Sequence, residues 1–315
     1  MNKLQIKLKQ LAFVFFLLIS GNALAQKDTL SFLHITDLHV IFEQDIYQRD
    51  LAQSRNHYRQ GEDSLRYFLQ TMPEKTKSNM VVATGDLVDF FEAEMPDGKM
   101  LDIQAEQFTR LVSNCHVPVL LALGNHDSFT FNWQDNKLKY NQNNSGRARA
   151  AWIRNSSCFK DGTYYSRIFQ VGKTTYRLIF LDDSFYKFLP DDKVEIPYVD
   201  KPQLCWLNAQ LHESDDDIEI VLMHIPFKEM VTQPGLSNEL FSILSKNPST
   251  RLILAGHNHK NVITDFSTIG NRMVQVQTGA FAKKIDNWRQ IRLTEKNILI
   301  SVPGITKNEL VISVK

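Results

Sequence analysis

Cysteine is scarce in this chain and strong net charge is missing from it, and each shortage removes function classes. Only Cys115, Cys158 and Cys205 occur among 315 residues, and no two are spaced as Cys-x-x-Cys. Dithiol redox chemistry and a zinc-cysteine site are therefore disfavoured. In an oxidising compartment any two of the three could pair and leave one thiol over. Cys115, just before an apolar strand, and Cys205, beside Trp206 on an expected helix, read as small core residues. The 36 Lys+Arg nearly cancel the 35 Asp+Glu, so the basic field that non-specific nucleic-acid binding needs is absent. Long apolar runs are missing too. After the first twenty residues no stretch approaches the roughly 18 to 20 apolar residues that span a bilayer. Internal repeats and Pro/Gly/Ser linkers are also lacking, so residues 26–315 are read as one domain.

The one apolar run lies at the N-terminus and reads as an address. Lys3, Lys7 and Lys9 precede the run Leu11 to Ile19, and Ala23-Leu24-Ala25 is a small-x-small cleavage site. This is the layout of a secretory signal peptide over residues 1–25. The expectation is an exported protein, periplasmic or secreted, with no stable membrane insertion once the segment is removed. Its loss takes three lysines and no acid, leaving 33 basic residues against 35 acidic ones and a net charge of −2.

What the chain does have is a recurring unit of apolar strand followed by polar loop. Thr29 to Ile35 runs into Thr36-Asp37-Leu38-His39, and Met80 to Ala83 into Gly85-Asp86. Val117 to Leu123 runs into Gly124-Asn125-His126-Asp127, Ile218 to Met223 into His224, and Arg251 to Ala255 into Gly256-His257-Asn258-His259. Helical spacing of apolar residues over 63–72, 102–112 and 201–211 alternates with these strands. That alternation predicts an α/β fold with a largely parallel sheet. A hairpin turning at Gly172 is expected within 163–182, and the strands of 275–314 suit a second sheet packed on the first. In α/β sheets ligands bind beyond the carboxyl ends of the strands, where all five polar loops fall.

Taken singly the loops are ambiguous. Asp37-x-His39 is common on surfaces, Asp86 reads equally as an Asx-turn residue, and Gly124-Asn125-His126-Asp127 equally as a capped turn. His224 alone is more often a satisfied core residue, whereas two imidazoles one residue apart, His257 and His259, suit a first-row cation. Their common place at strand ends gives them weight together.

In this order the series Asp37-x-His39, Gly85-Asp86, Gly124-Asn125-His126-Asp127, His224 and Gly256-His257-x-His259 resembles the signature of the calcineurin-like metallophosphoesterase superfamily, across residues 32 to 259. The resemblance implies a four-layer α/β/β/α sandwich of two packed mixed sheets with a dinuclear site at their loop ends. Carried over, Asp37, His39, Asp86 and His259 would hold one divalent cation, with Asp86 bridging to a second completed by Asn125, His224 and His257. His126 would be general acid or phosphate contact, oriented by Asp89. Asp127 is read as a cap for the following helix and His34 as structural. Phe90 and Asp127 replace the Arg and Glu of the protein Ser/Thr phosphatases, and Asp89 stands where purple acid phosphatases carry a tyrosine ligand, so neither subfamily is expected.

The implied enzyme is a metal-dependent hydrolase of phosphate mono- or diesters, with Mn, Fe or Zn as its ions and a small exported phosphate ester, nucleotides included, as its substrate. Two alternatives stand beside it. One is a class III-type cyclic-nucleotide phosphodiesterase, the other a catalytically decayed metal- or ligand-binding protein. Between 128 and 163, Phe129, Phe131, Trp133 and Tyr140 followed by Arg147, Arg149 and Arg154 form either a stacking and phosphate-steadying insertion or an ordinary surface loop packed over a few rings.

Overall fold

In the computed structural model, residues 28–134, 137–188, 195–213, 216–227, 238–267 and 272–314 are described. The expected signal peptide and the start of the domain at residue 26 lie outside them. In chain order the elements begin with β1 (Thr29–Ile35), α1 (Arg49–Ser54), α2 (Gly61–Thr76), β2 (Met80–Thr84), β3 (Glu92–Glu94), β4 (Met100–Leu101), α3 (Gln104–Ser113) and β5 (Val119–Ala122). The middle holds β6 (Thr130–Gln134), β7 (Lys137–Asn141), α4 (Ser145–Asn155), β8 (Tyr165–Val171), β9 (Thr174–Phe180), β10 (Phe185–Phe188), β11 (Glu195–Tyr198) and α5 (Lys201–Leu211). The chain closes with β12 (Ile218–Leu222), α6 (Asn238–Lys246), β13 (Thr250–Ala255), β14 (Val262–Asp265), β15 (Val274–Gln277), β16 (Arg289–Thr294), β17 (Asn297–Ser301) and β18 (Asn308–Ser313).

Two six-stranded mixed sheets organise the molecule, in the orders β18-β17-β16-β1-β2-β5 and β14-β15-β13-β12-β9-β8. Each has a parallel block: β1-β2-β5 forms one end of the first sheet, with antiparallel strands beyond β1, and β15-β13-β12-β9 forms the middle of the second, with an antiparallel strand on each side. The five apolar runs expected in one parallel sheet are thus divided between two. The tail does not build the second sheet alone either: β15 joins it, while β16, β17 and β18 extend the first beside β1. The reason is that β1 is buried along nearly its whole length and needs its backbone groups paired on the edge away from β2, and β16, running antiparallel, supplies that pairing.

One core unites the inward faces of both sheets, from Phe32 and Ile291 on the first to Leu178, Ile220 and Leu252 on the second. Side chains alternate faces along a strand, so Val221 and Ile253 turn the other way, onto Leu204, Leu207 and Leu211 of α5 and Leu240 and Leu244 of α6. In α5 Cys205 lies on the opposite side of that apolar stripe and is exposed, which corrects its expected place in the core. Helix α2 outlasts the expected stretch by running through Pro73. A proline there has no N–H for the carbonyl of Leu69, and the thiol of Cys115 approaches that oxygen at 3.5 Å instead. None of the three cysteines is in a disulfide.

Glu219 is out of keeping with this core. It is fully buried on the helix-facing side of β12, and burial pushes its carboxyl up to about 7, against the pull of Ser249 and Arg177. A carboxyl whose folded pKa exceeds its unfolded one binds its proton more tightly when folded. Its contribution to stability is therefore greatest below the ordinary glutamate value and is lost as pH rises through about 7. Glu219→Gln, which mimics the protonated form, is expected to stabilise the protein by ~2 kcal/mol at pH 8.5, with the gain shrinking toward pH 5. Thermal melts of both proteins across that range check this, and a pH-independent difference would refute it.

Candidate metal centre

The loops that leave β1, β2, β5, β12 and β13 meet at the carboxyl ends of the two parallel blocks, and their backbones are bent to do so. Seven non-glycine residues adopt positive φ among the described residues, and five of them are Asp37, His39, Asp86, His257 and His259. Left-handed backbone costs an L-residue on the order of 1 kcal/mol, and strain of this kind gathers at functional sites. Short hydrogen bonds hold the bends. Asp37 N donates to Gly85 O at 3.1 Å, Leu38 N and His39 N both donate to Asp86 O, and His257 N lies 3.0 Å from Asp37 Oδ2.

These bends gather seven O- and N-bearing side chains. His259 Nε2 lies 3.4 Å from Asp37 Oδ1 and 3.2 Å from His39 Nε2. On the other side Asn125 Oδ1 lies 3.2 Å from His224 Nε2 and 3.1 Å from His257 Nδ1, and those two nitrogens are 3.3 Å apart. Asp86 stands between the groups, with Oδ1 at 3.3 Å from His224 Nε2 and Oδ2 at 3.5 Å from His39 Nε2. Asp37, His39 and His259 form one cluster able to hold an ion, Asp86, His224 and His257 another, and His39, Asp86 and His126 a third that overlaps both.

The proton positions make these clusters fit cations. His224 Nδ1 is 2.9 Å from the Thr84 carbonyl, which can only accept, so Nδ1 carries the hydrogen, and it is Nε2, the atom that gives up its proton to a cation, that points toward Asp86 and Asn125. His39 Nδ1 likewise donates to Asp89 Oδ1 at 3.2 Å, so its Nε2 lone pair faces His259 and Asp86. Lone pairs and carboxylates that converge in a buried space repel unless a positive charge sits among them. A proton can supply that charge as well as a cation can, and the titration of the groups shows the demand for it. Burial alone would lower the His224 imidazole, yet Asp86, Asp37 and Asp183 raise it to about 10. Burial works against the charge on Asp86, yet His224, His126 and His39 hold its carboxyl well below the ordinary range. An all-O,N donor set of this kind suits divalent first-row cations.

Asp89 departs from its expected task. Its carboxylate is bonded to His39, while His126 Nδ1 reaches the Asp89 backbone carbonyl at 2.8 Å and the carboxylate only at 3.5 Å. The bend of the Gly85–Asp89 turn presents the carbonyl to His126 and sends the side chain inward to His39. Asp127 caps no following helix. Fully buried, it accepts from Gly124 N at 2.7 Å and Val88 N at 3.0 Å and so ties two ligand loops together, and burial pushes its carboxyl up to about 8. His34 is structural, bridging Thr84 and Thr278.

Three further residues escaped the sequence reading because no motif marks them. Asp183, after β9, accepts from His224 N and Ile225 N and fixes the His224 loop. Tyr58 stacks on the His39 ring at 4.7 Å and 4°. Arg55 Nε lies 2.7 Å from Asp89 Oδ2. The aromatic insertion is largely structural: Phe129 and Phe131 are buried with Tyr47, Tyr58 and Phe90, Arg147 pairs with Glu92 and Asp102, and Arg149 pairs with Asp182. Arg154 is exposed on α4, and Tyr140 stays exposed, stacked on Phe129 beside the His126 ring.

A family model described as calcineurin-like phosphoesterase matches residues 30–261. Among solved structures the chain is similar to a dimetal phosphatase from Danio rerio, at 15% identity and a TM-score of 0.63, with 91% of this chain and 99% of that one covered. It is also similar to GAP50, the anchor in the inner membrane complex of Plasmodium, at 14% identity and a TM-score of 0.51, with 91% and 89% covered. At these identities the likeness is one of fold. No curated protein matches the sequence.

Two glycines keep the loops close enough to form the centre. A Cβ at Gly124 would overlap the amide and Oδ1 of Asp86, and one at Gly256 would overlap Thr36 Oγ1 and stand 2.6 Å from Asp37 Oδ2. Gly124→Ala and Gly256→Ala should each weaken Mn²⁺ uptake by about tenfold or more, the range seen when a ligand's support is lost, and lower the melting temperature. Metal titration and thermal melts read this out, and uptake equal to wild type in both variants would contradict the packing argument.

Proposed function

This chain belongs to the calcineurin-like phosphoesterase family, a family of metal-dependent hydrolases, and we propose that it is an exported enzyme that hydrolyses a small phosphate ester at a two-metal centre. The observation that carries the reading is the posture of Asp86, whose two oxygens face separate imidazoles, His224 and His39. In the proposal Asp37, His39, Asp86 and His259 hold one cation, and Asp86, Asn125, His224 and His257 hold the other. Manganese, iron and zinc are the candidates that an O,N donor set without sulfur favours. Divalent cations in such a pair supply charge neutralisation at the phosphoryl oxygens and acidify a water.

The protein's own groups do the rest. Thr84 and Asp89 fix the tautomers of His224 and His39, so each ring presents Nε2 as a donor atom without reorganising. His126 has Nδ1 committed to the Asp89 carbonyl and its ring partly open to solvent, so once the ring takes a second proton from solvent its Nε2–H can go to the departing alkoxide or contact the phosphoryl group. Its imidazole is lowered by burial, with Asp86 and Asp89 pulling the other way. The export assignment rests on the basic, apolar and small-residue layout of residues 1–25. Among the described residues no helix is long and apolar enough to cross a membrane.

The decisive assay follows hydrolysis of p-nitrophenyl phosphate and bis-p-nitrophenyl phosphate by the mature chain with Mn²⁺, and then with EDTA. Turnover lost to EDTA and restored by metal is the expected result, and no turnover with Mn²⁺, Fe²⁺ or Zn²⁺ would leave the decayed binding protein in its place. His126→Ala should keep its metals and lose about 10²- to 10⁴-fold in turnover, the usual worth of a general acid. Asp86→Asn should instead lose metal content. Metal analysis beside kinetics separates the two, and a metal-replete His126→Ala with wild-type turnover would remove His126 from the reaction.

A further inference from the structure

Resting on the phosphoesterase reading, we propose that Arg55 is a phosphate-gripping residue of this site and biases it toward phosphate monoesters. Arg55 ends α1, and the turn after it lays Tyr58 flat on the His39 ring. Its Nε is buried against Asp89 Oδ2 at 2.7 Å, while the other oxygen of that carboxylate is 3.2 Å from His39 Nδ1 and 3.5 Å from His126 Nδ1. One buried carboxylate therefore joins the guanidinium to a candidate ligand and to the candidate acid. The guanidinium carbon lies 5.2 Å from the Phe131 ring centroid and 5.9 Å from that of Tyr58, which together confine the fork.

A purely structural role would be to neutralise Asp89. The position of the side chain asks for more. Asp89 has no exposed surface, whereas 23% of the Arg55 side chain remains open. Since Nε is buried in the ion pair with Asp89, the terminal N–H groups, which have no hydrogen-bond partner among the described residues, carry the open part of the side chain. Phe90, next to Asp89, is packed between Tyr47 and Phe131 and brings no charge. Without Arg55 the buried Asp89 carboxylate would lose its guanidinium partner and add negative field to a site that takes an anion. With it the local charge is cancelled, and a planar donor fork stands ready for oxygen pairs of a phosphate.

The ester class follows from oxygen counting. A monoester offers three terminal oxygens and a diester two, so an added donor beyond the metal ligands finds its acceptor in the oxygen that a diester has esterified. The dianion also gains more from the extra positive charge.

The test compares wild type, Arg55→Ala and Arg55→Lys by Mn²⁺ content, orthophosphate affinity by calorimetry, and kcat/KM for the two nitrophenyl esters. With metal content unchanged, Arg55→Ala should lose about 30- to 100-fold on the monoester and about threefold or less on the diester, and bind orthophosphate about tenfold more weakly. Arg55→Lys should fall between, since it keeps charge and loses the fork; if the alanine variant does not fold, the lysine variant's ester ratio decides. Equal losses on both esters, unchanged orthophosphate affinity, or loss of Mn²⁺ would each overturn the proposal, the last making Arg55 a positioning residue for His39. If wild type hydrolyses neither ester, the phosphoesterase reading fails while the orthophosphate arm still decides whether Arg55 grips phosphate.

Discussion

The structure is arranged around an electrostatic debt in its interior. Three carboxylates, Asp37, Asp86 and Asp89, and the lone pairs of His39 and His224 are buried within a few ångströms of one another. Taking such groups out of water is costly unless opposite charge accompanies them. Backbone strain adds to that cost. Five residues in left-handed conformation amount to on the order of 5 kcal/mol, comparable with the whole stability of many domains. Cations suit an arrangement of this kind, because their binding to the folded chain recovers what the fold gives up.

The scaffold has to resist relaxation of that centre, and the ties that do so lie one step behind the ligands. Asp127 binds the Gly124 loop to Val88, Asp183 binds the His224 loop to the end of β9, and Thr84 binds the His224 ring to the end of β2. Asp183 also links the sheets' loop ends to the titration of the site, since burial pushes its carboxyl up to about 7 even as His224 pulls it down. The first two hold loops within one sheet, and the Thr84–His224 bond runs from the first sheet to the second, so the sheets cannot slide without moving a ligand. The shared core that joins their inner faces supplies the rigidity on which that depends.

The strand-loop units were legible in the sequence because a buried parallel strand is a short run of Val, Ile and Leu, and because its polar terminus breaks that run abruptly. Asp37, His39, Asp86, Asn125, His224, His257 and His259 all meet, as their position at strand ends implied. Sheet membership was not legible. Nothing in Ile218–Leu222 distinguishes a neighbour of β9 from a neighbour of β2, since the choice is made by long-range pairing. Tyr58, Arg55 and Asp183 were invisible for a related reason: each acts through one partner distant in sequence, and a lone arginine or tyrosine in a polar turn carries no spacing signal. The aromatic insertion misled in the opposite sense. Phe129 and Phe131 look available in a polar stretch, yet they are the floor of a small core.

Asp89 shows how the invisible residues bear on the visible ones. Its two oxygens and its backbone carbonyl engage His39, Arg55 and His126, which come from three elements remote in the chain. His39 and Arg55 hold the carboxyl below the ordinary range despite full burial, so a charge remains at that point. A change in the 49–58 segment, outside every recognisable motif, therefore reaches a candidate metal ligand through a single carboxylate. The strand-end signature and the family that it marks fix the chemistry the pocket can host, whereas the turn that delivers Arg55 and Tyr58 is free to vary without disturbing a strand. Selectivity among phosphate esters is for that reason sought in this outer segment, where the sequence carries the least warning of what the side chains do.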